Sequence, residues 1–166
     1  MLPSDYHARI GHVVMAFERL ERNLSSVLTG YISPNIFVGI IITQEIGFRE
    51  LVRLIKTIYM QLHGEDQDFV KLRQILEDVK EVKTLRDKMV HSSFTHVSDP
   101  DKEIEHIHRF KVTAKERHGY RRHTEKITLD DLDKMIARID AVNSALLDWH
   151  IELIKVGKTP YVRMAC

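Results

Sequence analysis

Arg86 and His91 are the residues in this chain whose types and spacing suggest chemistry. They lie in "TLRDKMVHSSF", residues 84–94, with Asp87 between them. A guanidinium grips phosphate oxygens with a fixed two-pronged fork, and imidazole carries protons near neutral pH. Together they suit phosphodiester chemistry on RNA. The 2′-hydroxyl attacks the adjacent phosphorus, so the O2′–P bond forms as the P–O5′ bond breaks. One proton must leave the 2′-oxygen and another must reach the 5′-oxygen. In this scheme His91 serves proton transfer, Arg86 stabilises the charged phosphorane, and Asp87 orients one of them. Ser92 adds a hydrogen bond, Lys88 adds a neighbouring cation, and no metal or cofactor is required.

Spacing alone is weak support, because Arg117 and His123 stand at a similar separation in a polar stretch. Context sets Arg86 apart. Leu72, Val79 and Arg86 are seven apart, as are Ile75, Val82 and Met89. The two rows trace one helical stripe over 66–91, with arginine where the pattern asks for an apolar side chain. Arg86 therefore faces an anion or a wet cleft, or it pairs with a structural acid. His91 falls at the helix end, where it serves proton transfer or simply bonds the last carbonyls. Residues five apart on an ideal helix point about 140° from each other. Either the helix breaks near Val90, or the site is completed from elsewhere, as two copies meeting at a twofold axis would do.

Three other blocks have helical spacing. Over 5–29, Ile10, Phe17 and Leu24 form one row and Val13, Leu20 and Val27 another. Ser4 or Asp5 is expected to cap this helix and Gly30 to end it. Residues 36–62 read as one long helix with a buried, isoleucine-rich start, with Gly39 and Gly47 permitting close helix approach. Over 129–156 the rows are Leu132–Ile139–Leu146–Leu153 and Met135–Val142–Trp149–Val156. Thr128 with Asp131 resembles a capping box, and Gly157 and Pro160 stop the helix.

Residues 93–128 differ, with extended runs separated by "SDPDK" and "ERHG". They predict a small antiparallel hairpin or three-stranded flap. The expected fold is mainly α: an antiparallel four-helix bundle in one domain over 1–166. The β flap is inserted between the third and fourth long helices. The flap is rich in cations. Arg109, Lys111, Arg121 and Arg122, with Phe110 and Tyr120 interleaved, suit RNA phosphates and bases, or else form a solvated face. His106 and His108 share one strand face and His96 is placed nearby, but carboxylate or thiolate partners for a metal are not evident.

A bundle helix ending in "LRDKMVHSS" resembles the HEPN superfamily (higher-eukaryote and prokaryote nucleotide-binding domains). Their motif is Arg, a polar residue, a few more, then His, which Arg86, Asp87 and His91 match. "FERLERNLSSVL" (17–28) and "FRELVRLI" (48–55) are similar to opening helices of prokaryotic members. The resemblance implies a homodimeric, metal-independent endoribonuclease, such as a toxin or phage-defence effector, with RNA or a nucleotide bound and an antitoxin as a partner. It equally implies a non-catalytic dimer that binds nucleotide, RNA or protein. Members regulated by nucleotidylation carry a tyrosine two residues after the histidine. Ser93 stands there in this chain, which argues against that control.

Bulk properties fit such a reading. The 166 residues suffice for one hydrophobic core, and a net charge of +1 argues against bulk coating of nucleic acid. The single cysteine, Cys166, forms no internal disulfide, which predicts a reducing cytoplasm. The first residues have no signal-peptide pattern, and "IFVGIII" is too short to span a bilayer.

Overall fold

In the computed structural model, residues 2–97, 106–115 and 119–159 are described. The side chains of 97, 112–115 and 119–122 are not. The element order is α1 (Ser4–Ile32), α2 (Ile36–Gln44), α3 (Phe48–His63), α4 (Gln67–Val90), β1 (Ser93–Val97), β2 (His106–Lys115), β3 (Gly119–Ile127) and α5 (Leu129–Lys155). The protein is mainly helical with one small antiparallel sheet of order β1-β2-β3. No helix among the described residues is long and apolar enough to cross a membrane.

The chain forms two compact units, and α1, α4 and α5 contribute residues to both. One comprises Met1–Phe17 and Val82–Arg138, the other Glu18–Glu81 and Ile139–Cys166. In the first, Tyr6, Val13, Phe17, Val82, Met89 and Leu132 are buried together with Ile107 and Ile127 of the sheet. In the second, Leu20, Leu24, Leu51, Ile55, Leu72, Val79, Ile139 and Leu146 are buried. The apolar rows thus mark interior faces, as amphipathic spacing requires. Val156, the last member of its row, is the exception and lies exposed.

Local chemistry sets the helix ends. Thr128 Oγ1 accepts from Asp131 N at 3.1 Å while Asp131 Oδ2 accepts from Thr128 N at 2.9 Å, the reciprocal capping box expected from the sequence. Gly157, at φ 72°, closes α5. Lys158 N bonds Leu153 O and Gly157 N bonds Ile154 O, a Schellman ending. Pro160 lies outside the described residues. Lys158 then reaches Asp66 at 2.7 Å and Asp68 at 2.6 Å, fastening the segment after α5 to the start of α4. Tyr59 donates to Asp66 at 3.2 Å. Burial, reinforced by the Asp66 charge, pushes its phenol up to about 12.

Three expectations about the first half are corrected. Gly30 does not end α1, which continues to Ile32 before Ser33 and Pro34 turn the chain. Residues 36–62 are not one helix, because the chain leaves the helix after Gln44 and α3 restarts at Phe48. Gly47 caps that start with an extended backbone, its carbonyl accepting from Glu50 N and Leu51 N. Nor is the isoleucine-rich start buried. Asn35 caps α2 through Phe37 N and Val38 N, yet Phe37 is 74% exposed and Ile41 67%. Only Gly39 marks a close approach. A Cβ there would sit 2.4 Å from Thr29 Cγ2, whereas one at Gly47 would meet nothing within 4 Å.

Candidate functional site

The last turns of α4 carry Arg86, Asp87 and Lys88, and the helix ends at Val90. Arg86 occupies the seam position that the heptad row assigned to it. Its side chain is 20% exposed, with Cζ 5.1 Å from the centroid of the Phe17 ring. A guanidinium over an aromatic face keeps electrostatic stabilisation while shedding water. Nη1 donates to Asp87 Oδ1 at 3.2 Å, and Lys83 Nζ donates to the other carboxylate oxygen. Burial alone would raise the Asp87 carboxyl. Hydrogen bonds from Lys83 and Arg86 outweigh it and hold the group below the usual carboxylate range.

His91 is exposed, one residue past the helix, and its backbone N still bonds Asp87 O at 3.0 Å. The turn between Arg86 and His91 is therefore helical, and the two positions keep their separation of about 140° around the axis. A largely covered guanidinium and an exposed histidine thus occupy different sides of the same helix end.

Ser92 and Lys88 link α4 to the sheet. Ser92 Oγ donates to Lys88 O at 2.6 Å and accepts from Arg109 Nη1 at 3.1 Å. The same Nη1 donates to Lys88 O at 3.2 Å, and Nη2 donates to Glu125. Arg109 is 4% exposed, so the expectation that it contacts RNA is corrected. Its register explains why. Arg109 pairs with Phe94 on one side and Glu125 on the other, and shares the inner face with buried Ile107 two residues before it. A charge placed there needs acceptors, and Glu125 with the α4 terminus supplies them.

Lys111 follows on β2 and is exposed. Arg121 and Arg122 occupy β3 opposite Thr113 and Val112, and their side chains lie outside the described residues. The sheet turns His106 and His108 to the outer face, with Nε2 atoms 3.2 Å apart. His96 pairs with Ile107 and belongs to the opposite face, so the three histidines do not gather. Among the described residues, no group of three His, Cys, Asp or Glu side chains is arranged for a metal ion.

Set against protein-family models, curated proteins and solved structures, the chain matches none.

A second cationic region went unread in the sequence. Arg49, Arg53 and Lys56 of α3, with Arg73 and Lys80 of α4, line a groove of about 290 Å³ floored by Val52 and Leu76. On α3 the cations are spaced i, i+4, i+7, and on α4 Arg73 and Lys80 are seven apart with Glu77 between them, so each row alone looks like an ordinary solvated face.

Proposed function

We propose that the chain is a HEPN-type endoribonuclease that acts as a homodimer and needs no metal. On this reading its helices form an antiparallel bundle that brings two copies of the α4 terminus together. Arg86 binds the non-bridging phosphate oxygens. One His91 accepts the 2′-hydroxyl proton and the partner's His91 returns a proton to the departing 5′-oxygen. Asp87 holds Arg86 in place, and Ser92 with Lys88 supports the helix end.

The observation that carries this reading is the state of Arg86. It sits largely covered at an apolar seam position, over the Phe17 ring and bonded to Asp87, with an exposed histidine following on another side of the same helix end. A fixed guanidinium costs little reorganisation when charge develops on phosphorus. The separation of about 140° between the two positions supports the dimer, since a second copy then supplies the missing partner on each side.

The test is cleavage of single-stranded RNA in EDTA, with the ends identified as 2′,3′-cyclic phosphate and 5′-hydroxyl. His91→Ala is expected to lower the rate by roughly a hundredfold to ten-thousandfold, the usual contribution of a general acid–base group. Arg86→Ala should abolish cleavage as well. Undiminished cleavage in both variants would end the proposal.

The same separation favours a second reading, in which the dimer binds RNA or a nucleotide without cutting it. RNA retention without product by the wild-type chain would select that reading.

A further inference from the structure

The groove between α3 and α4 takes no part in the reaction above, and its charge needs an explanation. Arg49, Arg53, Lys56, Arg73, Glu77 and Lys80 are all exposed along it. Glu50 is held by both prongs of Arg53, and Glu77 bonds Lys80 at 2.7 Å. That leaves Arg49, Lys56 and Arg73. Among the described residues, none of these three forms a hydrogen bond or ion pair with an acid. Their field is nevertheless felt. The Glu77 carboxyl is held below its ordinary value by the Lys80 hydrogen bond, with help from the charges of Lys56 and Arg73. With a net charge of +1 overall, this surplus is local.

Like charges gathered in one groove repel, and Glu77 offsets only part of that repulsion. An anion would offset that repulsion. The shape narrows the choice of anion. Each row runs seven residues along its helix, about 10 Å, which is longer than a single phosphate. The floor residues Val52 and Leu76 are themselves buried, so they leave little apolar surface for the anchoring side chain of a protein partner. No aromatic side chain lines the groove, so bases have no platform to stack on. Arginine forks suit phosphate oxygens.

We infer that the α3–α4 groove binds the sugar-phosphate backbone of a single nucleic-acid strand, without regard to base sequence, through Arg49, Lys56 and Arg73. The ribonuclease reading enters only in naming RNA as the natural strand.

The experiment measures fluorescence anisotropy of one labelled single-stranded sequence, made as RNA and as DNA, against the full chain at several salt concentrations. DNA lacks the 2′-hydroxyl and so reports binding apart from cleavage. The wild type should bind both. The variant Arg49→Gln/Lys56→Gln/Arg73→Gln should lower the slope of log affinity against log salt by about 2, from about 0.7 per lost contact. Between roughly 50 and 200 mM salt, the wild type should then lose roughly twentyfold more affinity than the variant. Circular dichroism should show the variant folded.

An unchanged slope in the folded variant, or no binding of either strand by the wild type, overturns the inference. So does a slope that falls only in Lys111→Gln/Arg121→Gln/Arg122→Gln, which would place the contact on the flap. Poly-glutamate competing as well as the oligonucleotide would redirect the groove to acidic protein. RNA that is bound through the groove but never cut would remove the ribonuclease reading and leave the groove standing. Cutting at full rate by a variant with unchanged binding would do the reverse.

Discussion

The end of α4 and the α3–α4 groove are both rich in arginine, and they treat it in opposite ways. At the end of α4, Arg86 is pressed on Phe17 and tied to Asp87, while Arg109 is enclosed by Glu125, Ser92 and the Lys88 carbonyl. Each charge there is matched where it is covered. Along the groove, among the described residues, acids form ion pairs only with Arg53 and Lys80, and Arg49, Lys56 and Arg73 are exposed. Covered arginine is held as structure, or held ready for a charge that appears briefly. Exposed surplus arginine is available to a ligand that carries its own charge.

Substitutions can break this contrast, beginning where the effect is largest. Arg109→Leu should destabilise the fold by about 2–3 kcal/mol, read from the urea midpoint. It removes several charge-assisted bonds and leaves the Lys88 carbonyl short of a donor. A loss under about 0.5 kcal/mol would mean that Arg109 is not the clamp its burial suggests. Asp87→Asn should cost less, about 1 kcal/mol, because its ion pairs are partly solvated. Its carboxyl has a lowered pKa in the folded chain. That contribution is therefore complete above the ordinary value of 3.8 and disappears as pH falls through the lower folded value. The wild type should lose more stability than Asp87→Asn on acidification below about pH 4, and parallel curves would remove Asp87 from the account. Smallest of all, Arg73→Gln should shift stability by less than about 0.5 kcal/mol in either direction. A large loss would mean that the groove is structural after all.

Much of this architecture was legible in the sequence, and the reasons are physical. A helix must bury one stripe, so the rows through Val13, Leu72 and Leu132 announced interior faces. Thr128 with Asp131, and Gly157, announced ends that depend on nearby atoms alone. Distant contacts were harder to read. The break at residues 45–47 has helical periodicity on either side, so pattern alone ran through it. Residues 36–42 are apolar, and apolarity predicts burial without naming what does the covering. Arg109 read as an outward cation until the register set it beside Ile107 and opposite Glu125. The Arg86 seam position was readable, because a charge interrupting an apolar row is itself a signal. The groove was not, because each row alone looks like an ordinary solvated face, and only the pairing of α3 with α4 concentrates the charge.

The exposed side chains of α2 have a consequence at the bench. Dyes that brighten on apolar surface will find Ile36, Phe37 and Ile41 in the native chain and report them as though unfolding had begun. Melting curves followed that way should start bright and rise little. Trp149, the only tryptophan, is 3% exposed in the native chain, so its own emission offers a cleaner baseline for every stability comparison above.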